Sequence, residues 1–177
     1  MVDNPSCFIA LPLSKSLCHA LASLQIRVPA VRWMPIANFH LTLCFIGNVP
    51  TEGLLTQLRL IRLPCFEIVV NHVGSFSTSH GRHVLWAGIA ESHSLLRLQH
   101  AVEWATVITG IEPEVHRFYP HITLGRTRRT HYRDTIKPFL QQKINVVEQC
   151  RQFVLYASDP QPQGGSRYVP IQRFELV

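Results

Sequence analysis

The feature that most constrains the fold of this chain is a four-residue pattern that occurs twice within strand-like runs. "FHLTL" occupies residues 39–43 and "PHITL" occupies residues 120–124. Because alternate residues of a β-strand point to the same face, each His shares a face with the Thr two positions later, and the aliphatic residues point to the core. An internal duplication, with the two strands brought together across a pseudo-twofold axis, would place two imidazoles and two hydroxyls in one groove.

The order of the predicted elements favours an α+β fold. Apolar runs predict strands over residues 6–13, 29–34, 39–46, 65–73, 83–90, 118–126 and 150–158. The segment "PQPQGGSR" is predicted to be a loop, and residues 168–177 close the chain. Three helices are predicted, beginning at Ser14, at Thr51 and at about Ser92. The second should end before Pro64, and the third should end at Gly110. Strict strand–helix alternation is absent, so antiparallel pairing is expected. We therefore predict a single domain over residues 1–177, with two pseudo-symmetric lobes of antiparallel sheet and flanking helices around a central cleft.

The charge of the chain points toward anionic ligands. Seventeen Lys and Arg residues against eleven Asp and Glu residues give a net charge of +6, and fourteen of the seventeen are Arg. The planar guanidinium of Arg suits phosphate oxygens, so the bias favours a phosphorylated or nucleic-acid ligand. A basic surface that maintains solubility is the alternative.

The cysteines and the apolar segments indicate a cytoplasmic protein. Five scattered Cys residues without a CxxC pair predict free thiols in a reducing compartment, not a disulfide framework or a structural zinc site. The N-terminal apolar run is short and contains a Pro, and no apolar run reaches 18 residues, so neither a signal peptide nor a membrane span is expected.

Two paired His and Thr residues favour phosphoryl chemistry over the other possibilities. A metal site needs a third ligand, and Cys44, which shares the strand parity of His40, is the one residue that keeps this alternative open. A GxSxG nucleophile elbow is absent from the sequence. In phosphoryl transfer one imidazole takes a proton from water and the other gives one to the leaving alkoxide, each step worth about 10²–10⁴-fold. The hydroxyls then stabilise the nonbridging oxygens. The histidines that lack this pattern, among them His72, His80, His83 and His93, are interpreted as structural.

The motifs and their flanks resemble those of the 2H phosphoesterase superfamily, which is defined by two HxTx motifs. Within it, the chain is similar to the RNA 2′,3′-cyclic phosphodiesterases, also called 2′-5′ RNA ligases. The resemblance covers nearly the whole chain and includes "FIALPL", "ANFHLTLCFIGNV", "YPHITLGR", "LYAS" and "SRYVPIQRF".

This resemblance implies hydrolysis of 2′,3′-cyclic phosphate ends of RNA, or of cyclic nucleotides, to 2′-phosphomonoesters. A site of this kind is expected to need no metal or other cofactor. We expect 2′-5′ ligation as a side activity, and we expect the protein to be a monomer. His121 would activate water and His40 would protonate the leaving O3′, although the pseudo-symmetry leaves an exchange of these roles open. A module of the same fold that binds RNA ends without turnover is the alternative function.

Four further site residues are implied by the resemblance: the hydroxyls of Thr42 and Thr123, Arg126 at the phosphate, and Phe45 stacked on a base. Strand parity places Arg126 on the face opposite to Thr123 unless Gly125 forms a β-bulge. The same parity places Phe45 on the core side, so packing is an alternative role for its ring. More arginines surround the second motif, and they either extend a positive channel along RNA or are solvated: Arg117, Arg128, Arg129 and Arg133.

Overall fold

The computed structural model describes residues 5–28, 31–48, 50–78, 82–112, 117–127, 134–162 and 164–177. The described residues form nine β-strands and four α-helices. In chain order these are β1 (Ser6–Pro12), α1 (Lys15–Ser23), β2 (Val31–Trp33), β3 (His40–Gly47), α2 (Glu52–Leu58), β4 (Phe66–Ser77), β5 (His83–Ile89), α3 (His93–Ile108), β6 (His121–Thr127), α4 (Lys137–Leu140), β7 (Val146–Cys150), β8 (Gln152–Pro160) and β9 (Ser166–Glu175).

The strands form an antiparallel sheet with the two motif strands at its centre. The order is β7-β4-β5-β6-β3-β1-β8-β9, and β2 pairs with the second motif strand, β6. The central strands β3 and β6 pair at Leu41 and Ile122, both of which are fully buried. Four strands thus lie on each side of this junction, β7-β4-β5-β6 and β3-β1-β8-β9. The predicted α+β fold with antiparallel pairing is confirmed, whereas an origin by internal duplication stays a prediction.

Side-chain caps define the starts of two of the predicted helices. The Ser14 hydroxyl accepts a hydrogen bond from the Leu17 N–H at 3.1 Å, and the Ser92 hydroxyl accepts one from the Leu95 N–H at 3.3 Å. Such bonds satisfy amides that have no partner inside the helix. At the other end of α3, Gly110 takes a left-handed φ of 77°, as expected for the residue that ends a helix.

The structure differs from the sequence prediction at several elements. Helix α2 ends at Leu58, well before Pro64, and the short elements α4 and β7 were not predicted. Residues 160 and 166–167 of the predicted "PQPQGGSR" loop belong to strands β8 and β9. Among the described residues, no helix has the length and apolarity required to cross a bilayer.

Candidate active site

A β-bulge in β6 brings Arg126 onto the face of the second motif. The register between β5 and β6 shifts by one residue next to Gly125, so that β6 contains an extra residue. Leu124 and Gly125 are both buried, and Arg126 is exposed. A bulge of this kind reverses the alternation of faces, so Arg126 points to the same side as His121. The predicted bulge at Gly125 is therefore confirmed.

The absence of a side chain at Gly125 has a packing reason. A Cβ built on Gly125 would lie 2.6 Å from Cε3 of Trp33, which faces it across the β2–β6 pair. Any larger residue would displace the indole or the bulge.

Strand β3 contains the same irregularity at the equivalent place. Its register with β1 shifts between Thr42 and Cys44, and the burial pattern of β3 repeats that of β6 residue for residue. Phe45 is 56% exposed and occupies the position that Arg126 holds in β6. The expectation from strand parity that Phe45 faces the core is wrong, because the bulge turns its ring onto the face of His40.

The bulge also moves Cys44 away from the imidazoles. Cys44 is buried, and its Sγ lies 3.9 Å from Oγ1 of Thr106 on helix α3. Its expected shared face with His40 is thus wrong, and the thiol is not the third ligand that a metal site would require. The described residues contain no group of three or more His, Cys, Asp or Glu side chains that could hold a metal ion.

The pairing of Leu41 with Ile122 fixes how the two motifs face each other. In an antiparallel pair with this register, His40 lies across from Thr123 and Thr42 lies across from His121. The structure therefore brings the four motif side chains together on the open face of the central strands. Phe45 and Arg126 follow at opposite ends of this row.

Each imidazole is held by the backbone carbonyl two residues before it. Nδ1 of His40 lies 2.7 Å from the Asn38 oxygen, and Nδ1 of His121 lies 2.8 Å from the Tyr119 oxygen. A carbonyl oxygen only accepts, so each Nδ1 carries a proton. The remaining nitrogen, Nε2, is left for a ligand in both rings, and the two tautomers are the same.

Both imidazoles are shifted toward the neutral form. Burial lowers the pKa of His40, the bond to the Asn38 carbonyl opposes this change, and the nearby His121 adds to it. Burial also lowers the pKa of His121, with the Tyr119 carbonyl opposing and the positive charge of Arg126 adding to the decrease. Proximity of a cation disfavours the imidazolium, so Arg126 helps to keep His121 in the neutral form, in which Nε2 carries a lone pair.

Aromatic rings that the sequence analysis did not identify enclose the imidazoles. His40 packs edge-on against Tyr168, with 5.0 Å between ring centroids, and lies at a tilt of 39° to the ring of Phe8, with 4.9 Å between centroids. His121 packs edge-on against Phe76 at 5.0 Å, with Trp86 at 6.3 Å. These rings lie on four different strands, and only the sheet register could have revealed that they converge. They exclude water from one side of each imidazole and so cause its burial.

A cavity of about 430 Å³ opens beside Thr42 and His121. Its wall contains several aromatic rings, and helix α3 contributes an amide and a carboxylate to it. The residues that line this cavity include Phe45, Gln99, Glu103, Arg117, Phe118 and Tyr119.

The arginines expected around the second motif differ in what the structure shows of them. Arg117 lines the cavity, whereas Arg128, Arg129 and Arg133 lie outside the described residues. Arg32, not identified from the sequence, stands directly across from Arg126 in the β2–β6 pair, and its Nη2 donates to the Gly164 oxygen at 3.0 Å. Two cations therefore lie side by side at one end of the row of motif residues.

Comparison with known proteins agrees with this geometry. Residues 11–86 match the family model described as LigT like Phosphoesterase. An Escherichia coli protein named RNA 2′,3′-cyclic phosphodiesterase is 31% identical over 149 residues, which cover 81% of this chain and 80% of that protein. The chain belongs to the LigT-like phosphoesterase family.

Two further comparisons locate the chain among its relatives. An Aeropyrum pernix protein with the same name as the E. coli relative is 35% identical over 95 residues, which are 51% of this chain and 54% of that protein. The solved structure of E. coli LigT complexed with 3′-AMP superposes with a TM-score of 0.82 at 26% identity, covering 98% of both chains. The similarity to the E. coli LigT structure thus extends well beyond the matched residues 11–86.

Proposed function

We propose that this protein is a metal-independent RNA 2′,3′-cyclic phosphodiesterase that opens the cyclic phosphate to a 2′-phosphomonoester. One observation carries the proposal: two imidazoles with the same fixed tautomer share a face with two hydroxyls, and each imidazole lies directly across from the hydroxyl of the other motif. This arrangement supplies a proton acceptor, a proton donor and two hydrogen-bond donors to one phosphodiester. The names of the relatives support the same substrate.

The chemical step needs no group beyond these side chains. A water oxygen attacks phosphorus while its proton passes to Nε2 of His121, and the bond between phosphorus and O3′ breaks. His40, in its imidazolium form, gives its Nε2 proton to O3′. The anionic phosphate between the rings raises the pKa of His40 in the complex, which favours this protonated form.

The hydroxyls and the arginine stabilise the charge that the phosphoryl group carries during the reaction. Thr42 and Thr123 donate to the nonbridging oxygens, and Arg126 supplies a guanidinium on the same face, where a planar fork of donors matches two phosphate oxygens. Phe45, exposed at the other end, stacks on the base of the bound nucleoside. In a parallel reaction a 5′-hydroxyl attacks phosphorus in place of water and the bond to O3′ breaks in the same way, which uses the same groups and gives a 2′-5′ linkage.

Incubation of the purified protein with 2′,3′-cyclic AMP tests the proposal. We expect adenosine 2′-monophosphate as the product, identified by chromatography against both monophosphate standards. Formation of the 3′-monophosphate would mean that O2′ leaves instead. Saturable binding of the cyclic nucleotide without any product would identify a binding module and overturn the enzymatic proposal.

A further inference from the structure

The cavity beside His121 contains a polar pair that the reaction does not use. Gln99 and Glu103 lie one turn apart on helix α3 and both line the cavity. Gln99 is 7% exposed, and its Nε2 donates to Oε2 of Glu103 at 3.2 Å. Burying an amide and a carboxylate at the wall of a cavity costs folding free energy unless their remaining polar atoms form hydrogen bonds to a ligand or solvent in the cavity.

The internal bond determines which atoms remain for a ligand. Only the amino group of an amide can donate to a carboxylate, so the Gln99 amide is oriented with its oxygen away from Glu103. Within the described part of the chain, the Gln99 oxygen and Oε1 of Glu103 have no hydrogen-bond partner. The pair therefore presents hydrogen-bond acceptors, one of them charged, to whatever enters the cavity.

An acceptor pair selects a ligand edge made of donors. Guanine carries N1–H and an amino group side by side on its Watson–Crick edge, whereas adenine and cytosine place a ring acceptor beside their amino group. Uracil offers a single N–H between two carbonyls. Arg117, on the same cavity, is a donor for the O6 acceptor of guanine.

The aromatic wall does not itself distinguish between bases. Phe45 is 56% exposed and Tyr119 is 47% exposed, and both line the cavity. Stacking on such rings tolerates any base because every base has a π-face. Discrimination must then come from the polar pair.

We infer that the cavity binds a guanine base and that Gln99 and Glu103 recognise its Watson–Crick edge, so that RNA ends terminating in guanosine are the preferred substrates. The inference rests on the proposed function, because its kinetic test measures hydrolysis of cyclic phosphates. It assigns the two α3 residues to specificity, with no part in the chemical step.

The test compares kcat/KM for the four nucleoside 2′,3′-cyclic phosphates in the wild type and in Glu103→Gln. We expect the wild type to prefer the guanosine substrate by about tenfold or more, as one bidentate base contact provides. Glu103→Gln should lose most of this preference, measured as the ratio of kcat/KM for the guanosine substrate to kcat/KM for the uridine substrate. Glu67→Gln removes the same charge from an exposed position of β4 and should leave the preference unchanged.

The outcomes separate this inference from the proposed function. Equal kcat/KM for all four substrates would uphold the phosphodiesterase and overturn the recognition of guanine, and a preference for another base would overturn it equally. If no substrate is turned over, calorimetric titration with guanosine and adenosine 2′-monophosphates decides the matter. Tighter binding of the guanosine compound that is lost in Glu103→Gln supports the inference, and equal dissociation constants contradict it.

Discussion

Leu41 lies directly opposite Ile122 at the centre of the sheet, and this single register places the imidazole of each motif across from the hydroxyl of the other. The two aliphatic side chains are fully buried, so their packing keeps the register. A slip of either strand by one residue would turn the His and the Thr of that strand into the core. The site is thus maintained by the apolar residues of the HxTx motifs as much as by the polar ones.

Loss of either imidazole should abolish most of the activity. His40→Ala and His121→Ala should each lower the rate of cyclic phosphate hydrolysis by at least about 100-fold, because each removes a proton-transfer group. Thr42→Ala and Thr123→Ala should cost less, since neighbouring donors partly replace one hydrogen bond. His93→Ala, at an exposed position of α3, is the control. A folded His40 or His121 variant with near wild-type turnover would exclude the two-histidine mechanism.

The pH dependence of kcat/KM should be bell-shaped, with its maximum on the acid side of pH 6.5. The bell shape follows because His121 must be neutral and His40 must be protonated for the reaction. The maximum lies below pH 6.5 because the pH profile of kcat/KM reports the pKa values of the free enzyme, and the pKa of both imidazoles is lowered from 6.5. Arg126→Gln removes a cation that lowers the pKa of His121, so the acidic limb should move to higher pH. An acidic limb that stays in place in this variant would argue against His121 as the base.

Chelation should not inhibit the enzyme. The buried position of Cys44 takes away the candidate third ligand beside the histidines, so we expect full activity after dialysis against EDTA. The measurement is the initial rate before and after chelation, followed by addition of Zn²⁺ or Mg²⁺. Activity that disappears with EDTA and returns with either ion would establish a metal requirement.

Gly125→Ala should disturb the bulge that orients Arg126. The added Cβ would lie 2.6 Å from the Trp33 ring, so we expect a loss of stability of about 1–3 kcal/mol and a lower kcat/KM. Gly53→Ala in helix α2 is the matched control, because its Cβ meets nothing closer than 3.8 Å and alanine stabilises helices by roughly 0.5–1 kcal/mol. Thermal unfolding and kcat/KM of both variants provide the comparison, and an unchanged Gly125→Ala enzyme would refute the role of this glycine.

Longer RNA substrates should show a steeper dependence of KM on salt than cyclic mononucleotides. Each additional contact to a phosphate of a single strand releases counterions and adds about 0.7 to the slope of log KM against log salt concentration. Arg128→Ala with Arg129→Ala should reduce this slope, as should Arg32→Ala, which removes the cation beside Arg126. A slope that is independent of substrate length and of these substitutions would identify the arginines as ordinary surface charge.

Much of the fold could be predicted because local signals agreed with the tertiary structure. Ser14 and Ser92 each precede an apolar stripe, and both cap helices as expected. Strand β7 (Val146–Cys150) is not predicted from the sequence because it is short and contains the consecutive polar residues Glu148 and Gln149, which interrupt an apolar alternation. This segment is a strand because it pairs with β4, and that tertiary contact cannot be predicted from the residues of β7 alone.

The candidate site could be predicted except where the backbone departs from regular alternation. Gly125 signals a bulge because glycine in a strand permits close approach of a neighbour. The equivalent bulge in β3 has Cys44 at the corresponding position, and a cysteine carries no such signal, so Phe45 was assigned to the wrong face. The convergence of Gln99 and Glu103 with the motif strands depends on how α3 packs against the sheet, which no local pattern specifies.

The equivalent bulges in β3 and β6 have a consequence for the polarity of the bound strand. In the β3–β6 register each motif places its His across from the Thr of the other, so a phosphodiester turned end for end would meet the same two imidazoles and the same two hydroxyls. Only the terminal positions differ, where one bulge presents the phenyl ring of Phe45 and the other presents the guanidinium of Arg126. On the proposed function, the direction in which RNA lies would thus be set outside the reacting centre, by the side chains at these two bulge positions.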